Sequence, residues 1–158
     1  MKKILMLCLS SAFLFSFSRA QSDNGGATKA VYGELGGSGL IFSANFDMRF
    51  KGSTGLGFRL GIGGAGGTGG GVVTFPFGLN YVSGKGDHHF EAGTTFTVVT
   101  AAFDISDNGS TWFLLPHFGY RYSKPSNSFN ARIYIGPLIG DGFVFFPFGG
   151  LSVGYTLK

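Results

Sequence analysis

The 158-residue chain carries only 13% Asp, Glu, Lys and Arg, but 29 glycines and 19 phenylalanines. A soluble domain covers itself with roughly 25% charged residues, so this composition argues against a water-exposed globule. The formal charge of +4 includes Lys2, Lys3 and Arg19; without those three, nine Lys and Arg face eight Asp and Glu, and no basic patch remains for nucleic acid. Residues 1–20 read as a secretory signal peptide: Lys2 and Lys3 precede an apolar run from Ile4 to Phe17, and Ser18-Arg19-Ala20 places cleavage after Ala20. The run is shorter than the ~20 residues of a spanning helix. Cys8, the one cysteine, falls inside it, so the exported chain is expected to lack thiols, disulfides and cysteine metal sites. Residues 21–28 read as a short disordered tail and residues 29–158 as one domain.

From Lys29 onward the pattern has period two, with no helical periodicity. A first, noisy stretch runs near Lys29 to Gly37. In the second, Leu40, Phe42, Ala44, Phe46, Met48 and Phe50 oppose Ile41, Ser43, Asn45, Asp47, Arg49 and Lys51. In the third, Leu56, Phe58, Leu60 and Ile62 oppose Gly57, Arg59, Gly61 and Gly63. Further stretches place Val73 to Tyr81, Phe90 to Val98, Trp112 to Tyr122, Phe129 to Ile135 and Leu151 to Leu157 in the same register of bulky against small. Alternation of this kind fits a soluble sandwich or a barrel in lipid, and the small face discriminates. It holds mostly Gly, Ser and Thr with a few ionic residues, which suits a crowded lumen rather than a solvated sheet. Eight such stretches predict an all-β, eight-stranded antiparallel up-and-down transmembrane barrel, closed because lipid cannot satisfy an open edge.

An even strand number puts both termini on one side, expected to be the periplasm. Phe50, Tyr81, Phe90, Tyr122, Phe129 and Tyr155 then gather at that rim as an aromatic girdle at the headgroup level. Lys51–Thr54, Ser83–Asp87 and Ser123–Ser128 are the expected periplasmic turns. Gly36–Gly39, Gly64–Gly71, Ala101–Gly109 and Ile139–Gly142 are expected to face outward, and all are short.

The inward charges are Glu34, Asp47 and Glu91 against Arg49, Arg59, Arg121 and Arg132, with His117 nearby. In a low-dielectric lumen these should pair, because buried unpaired charge is costly. They predict an electrostatic plug; the competing reading is a selectivity filter. Inward glycines leave room for water or for Phe113, Tyr134, Phe146 and Phe148 turned inward. The Gly61 to Gly66 run matches G-x-G-x-x-G but precedes another strand, not the helix that a dinucleotide site requires. His88-His89 points to opposite faces and reads as a solvated turn. His117 with an inward Glu or Ser is the one conceivable hydrolytic pair, and no spacing supplies its third member. Asn108-Gly109-Ser110 reads as a turn rather than a glycosylation site. No catalytic residue, cofactor site or metal site is expected.

The runs Tyr32-Gly33-Glu34-Leu35-Gly36-Gly37, Phe77-Gly78-Leu79-Asn80-Tyr81 and Gly149-Gly150-Leu151-Ser152-Val153-Gly154-Tyr155 resemble small, mostly uncharacterised outer-membrane β-barrel proteins of Gram-negative bacteria. The resemblance spans nearly all of residues 29–158 and implies an eight-stranded barrel of OmpA- or OmpX-like architecture in the outer membrane. Such barrels often finish on an aromatic residue read by the barrel-insertion machinery; here Tyr155 is expected to serve, since the chain closes on Thr156-Leu157-Lys158. The expected partners are outer-membrane lipid and that machinery, and the expected state is a monomer. The expected role is non-enzymatic and structural, in envelope integrity. A narrow channel for ions or small solutes is the main alternative, followed by a surface interaction protein and a lipid-modifying enzyme.

Overall fold

A computed structural model describes residues 27–67, 70–103, 110–124 and 128–157. The expected signal peptide and all but the last two residues of the expected tail lie outside the described residues, as do 104–109 and 125–127 within the expected connections.

Strands β1 (Lys29–Gly36), β2 (Phe42–Arg49), β3 (Gly55–Gly67), β4 (Gly70–Lys85), β5 (His88–Phe103), β6 (Ser110–Ser123), β7 (Phe129–Gly140) and β8 (Phe143–Leu157) each pair antiparallel with their sequence neighbour. β8 pairs back onto β1, with Val31 opposite Tyr155 and Leu35 opposite Leu151, so the sheet closes without an edge along this seam. The predicted all-β, eight-stranded antiparallel barrel is therefore the observed fold.

Its burial is inverted relative to a soluble protein. Arg49 and Arg59 are the largest fully buried side chains, whereas every strand turns large apolar side chains outward: Leu60 is 51% exposed, Leu79 55% and Phe90 76%. An exterior this apolar is stable only against hydrocarbon, and it far exceeds the scattered apolar residues of a soluble surface. Strands β3 to β8 run from 12 to 16 residues, more than the ~9–11 that a tilted strand needs to cross a bilayer core.

Small inward residues let the wall curve tightly. A Cβ built on Gly154 would lie 2.2 Å from the Val31 carbonyl oxygen and 2.3 Å from Tyr32 Cβ, so the β1–β8 seam closes only around glycine.

Several local expectations change. Within the expected Gly64–Gly71 loop, Gly64–Gly67 and Gly70–Gly71 are strand: β3 and β4 continue pairing to Gly67 opposite Gly70, because the ladder is a backbone interaction that glycine can make. The β4–β5 turn shrinks to Gly86-Asp87, with Lys85 opposite His88 and Gly86 at φ 69°, as a two-residue hairpin loop requires. β8 begins at Phe143, well before the alternation at Gly150 becomes legible, and Phe146 is 60% exposed rather than packed within the lumen. Lys51 lies exposed beyond β2 instead of facing inward. Thr28, assigned to the tail, already accepts a hydrogen bond from the Arg49 amide at 2.8 Å.

The largest departure is Gly36–Gly39. Residues Gly37–Gly39 form one 3₁₀ turn that is buried inside the barrel instead of projecting outward. Leu40 leaves it at φ 69° and packs on the inner apolar cluster, which sends Ile41 to the outside, 59% exposed. The alternation thus restarts one residue out of step.

Candidate functional site: the barrel lumen

Strand register brings the inward charges together in two connected groups. The lower group lies toward the end that carries the chain termini. There Asp47 is the hub: Arg49 Nη2 approaches both its oxygens at 2.7 Å, and Arg121 donates to them at 3.2 and 3.3 Å. Arg121 Nε also donates to Glu91 at 2.7 Å, and Arg132 Nη1 to the same carboxylate at 3.3 Å, with Asp47 3.6 Å away. Asn80 stitches the group, donating to Asp47 at 2.8 Å and Glu91 at 2.7 Å while its own oxygen accepts from Arg49. Arg132 Nε reaches Ser152 Oγ at 3.1 Å.

The second group centres on Arg59 and Glu34. Arg59 Nη2 lies 3.0 Å from both oxygens of Glu34 and also donates to Ser38 Oγ at 2.8 Å and Asn45 Oδ1 at 3.1 Å. Tyr32 joins the groups: the Arg132 guanidinium carbon lies 3.4 Å from its ring centroid and that of Arg59 5.6 Å. Every strand supplies a member, from Glu34 on β1 to Ser152 on β8, so a slip of any one strand would strand a buried charge.

Along β5, β6 and β7 the inward side chains grade from ionic to apolar. Beyond Glu91, Arg121 and Arg132 come Val99, Phe113, Leu115, Tyr134 and Leu138, a buried cluster against which Leu40, Val72 and Phe148 pack. Against this layer sits the 3₁₀ turn, and the lumen wall takes up several of its polar groups. Ser38 N–H donates to the Tyr134 hydroxyl at 3.1 Å, and Ser38 Oγ to Glu34 at 2.9 Å. Thr97 Oγ1 donates to the Ser38 carbonyl at 3.0 Å, and Thr74 Oγ1 to that of Gly39 at 3.3 Å. A buried turn is stable only when its backbone groups are satisfied in this way.

His117 lies inside, its Nδ1 3.0 Å from the Leu115 carbonyl and its ring 4.7 Å from that of Tyr134. Its Nε2 has no hydrogen-bond partner, so the structure does not assemble the hydrolytic pair with Glu or Ser. His88 and His89 do point to opposite faces, but His89 is not solvated: it is buried at the start of β5, while His88 contacts Tyr120 and Tyr122 outside. The Gly61 to Gly66 run lies within β3, and the next element among the described residues is strand β4. The six girdle aromatics lie outside or half-buried toward the end carrying the termini: Phe50 just beyond β2, Phe90 and Phe129 near the starts of β5 and β7, and Tyr81, Tyr122 and Tyr155 in the closing segments of β4, β6 and β8.

No family model and no curated protein matches this sequence. Among solved structures, the N-terminal β-barrel domain of Pseudomonas aeruginosa OprF is similar. Its TM-score is 0.56, with 83% of this chain and 96% of that chain covered at 12% identity. The fold is that of a transmembrane β-barrel. At this identity the likeness is one of architecture, and the lumen of the present chain must be read from its own residues.

Sequence reasoning placed the charged residues on the inner face but missed Asn80, Asn45 and Ser38 as their bridges. Asn45 and Asn80 are on the inward alternation, and an amide beside paired charges was the available signal. Ser38 gave none, because nothing in Gly36-Gly37-Ser38-Gly39 marks a turn as internal.

Proposed function

We propose that this chain is a non-enzymatic, integral outer-membrane barrel with a structural role in the cell envelope, its lumen closed rather than conducting. The observation that carries the reading is the lumen network, in which ion pairs link six strands and hydrogen bonds from Asn80 on β4 and to Ser152 on β8 bring in the other two. The internal turn and the apolar layer add two further closures in series. A conducting pore needs a continuous wet path with sites that bind weakly enough to release; here the ionic side chains are engaged with one another.

In this reading the outward Leu, Ile and Phe face lipid, both termini lie in the periplasm and the terminus-side aromatics sit at the headgroup level as a girdle. The chain acts as a monomer, delivered by the barrel-insertion machinery. Single-channel recording in planar bilayers tests the closed lumen. Protein refolded from the full-length chain should give no steady conductance, and a stable ion-selective current would replace this reading with that of a narrow channel. Fractionation with heat-modifiable gel migration tests location and folding together. Turnover of lipopolysaccharide or phospholipid, lost in His117→Ala, would assign an enzyme instead.

A further inference from the structure

The hydrogen bonds of the lumen leave a remainder of one sign. Both oxygens of Glu34, Asp47 and Glu91 are engaged by donors. By contrast Arg59 Nε and Nη1, Arg132 Nη2, His117 Nε2, Tyr32 Oη and Thr95 Oγ1 are buried with no partner. Their residues are all at least nine-tenths buried. Three other unpartnered atoms belong to different places: Arg49 Nε in the Asp47 group, and His89 Nδ1 and Asn130 Oδ1 on the second residues of β5 and β7 at the barrel rim.

The charge is unbalanced in the same direction. Four buried guanidiniums, on Arg49, Arg59, Arg121 and Arg132, face three buried carboxylates among the described residues. Arginine does not deprotonate in proteins, so even with His89 and His117 neutral one positive charge is left over. A buried charge without a counter-charge is costly. Two guanidiniums with free donors meet at Tyr32: the guanidinium carbons of Arg132 and Arg59 lie 3.4 and 5.6 Å from its ring centroid. His117 adjoins through Tyr134, over whose ring the Arg59 guanidinium lies at 5.9 Å.

We infer that the lumen holds one small monovalent inorganic anion, a halide, between Arg59 and Arg132 beside the Tyr32 ring. The inference rests on the reading of the lumen as a closed ionic network. A monovalent anion matches the surplus of one, whereas a dianion would overshoot it. A halide only accepts, which suits a site whose free groups can all donate; water would bring donors of its own and leave the charge uncompensated.

The direct test is to refold the full-length chain in detergent with bromide as the only halide, crystallise it and record anomalous diffraction at the bromine edge. The expected result is a single internal peak touching both Arg59 and Arg132. Ordered water there with no bromine signal, or bromide on the outer surface only, overturns the inference. In solution, chloride replacing gluconate at constant ionic strength should raise the unfolding midpoint saturably. The folding equilibrium constant should rise about a hundredfold once halide exceeds its dissociation constant by that factor. Arg132→Met, which removes one donor group and the surplus charge, should flatten that dependence; an unchanged dependence would refute the site. Should this variant fail to fold, the bromide experiment on the unaltered chain decides alone. Bilayer recording separates the two readings: steady current with the bromine peak present removes the closed lumen and keeps the ion. Silence with no peak removes the ion and keeps the closure.

Discussion

Removing Glu34 should expose how dry this lumen is. Glu34 and Arg59 are both 0% exposed, and Glu34 holds Arg59 through two contacts at 3.0 Å as well as the Ser38 hydroxyl at 2.9 Å. Glu34→Ala therefore leaves a guanidinium with only Ser38 Oγ and Asn45 Oδ1 as acceptors, and it frees one anchor of the internal turn. Breaking one side of a buried ion pair typically costs about 3–5 kcal/mol, which is two to three powers of ten or more in the folding equilibrium at ~1.4 kcal/mol per decade. Against a net stability of ~5–15 kcal/mol this is a large loss. The paired replacement Glu34→Leu with Arg59→Met substitutes apolar volume for both ions and should cost less than Glu34→Ala alone. The readout is denaturant unfolding in lipid vesicles, followed by the emission of Trp112. It is the single tryptophan of the chain, and it faces outward, stacked on Phe96 at 5.7 Å. If Glu34→Ala costs below ~1 kcal/mol, like a solvent-exposed pair, Arg59 is hydrated and the dry-network argument fails. If the double replacement costs the sum of the two single ones, the two residues are not coupled.

Other perturbations test the remaining layers. Leu60→Arg, in the middle of β3 on the outer face, should cost ~2–4 kcal/mol in vesicles, while Phe90→Arg near the start of β5 should cost ~0–1 kcal/mol; equal costs would contradict the lipid belt. Gly154→Val should block closure of the β1–β8 seam and abolish heat-modifiable migration, whereas Gly67→Ala, with nothing within 4 Å of its added Cβ, should migrate as the parent does. Asn80→Ala removes donors to both Asp47 and Glu91 at 2.8 and 2.7 Å. At ~1.5–3 kcal/mol per hydrogen bond to a charged group, it should lower the unfolding free energy by at least ~2 kcal/mol. A near-neutral result would mean that water replaces the amide.

How far the sequence could be read depends on which interaction fixes each element. Where side-chain burial decides, period two carries the answer: Asp47, Arg49, Arg59, Glu91, Arg121 and Arg132 fall inside because Phe46, Met48, Phe58, Leu60, Phe90 and Phe118 cannot. Where the backbone decides, the side chains are silent. Gly64–Gly67 and Gly70–Gly71 pair as strands although no alternation marks them, since a ladder of N–H and C=O groups has no need of a Cβ. The failure at Phe143–Phe146 has a third cause. Both faces of β8 there are exposed, because β1 ends at Gly36 opposite Gly150 and leaves the earlier part of β8 without a partner on that side. Four consecutive apolar residues with no inside and outside to distinguish carry no period.

The internal turn shows why the candidate site itself was only half legible. Alternation assigns a residue to a face, but not the depth it occupies or what fills the space in front of it. The short β1 and β2, 8 residues each beside strands of 12 to 16, leave the connection between them well below the opposite rim. A connection at that depth has hydrocarbon outside, which cannot satisfy its backbone, and a polar lumen inside, which can. Folding inward therefore pairs backbone groups of the turn with Tyr134, Thr97 and Thr74, while Glu34 and Arg59 hold the Ser38 hydroxyl. Strand length, not the turn's own sequence, sends Gly37–Gly39 into the barrel. Lengthening the β1–β2 hairpin by two paired residues on each strand should accordingly lift the turn toward the rim, and deuterium exchange at the Ser38 amide should accelerate.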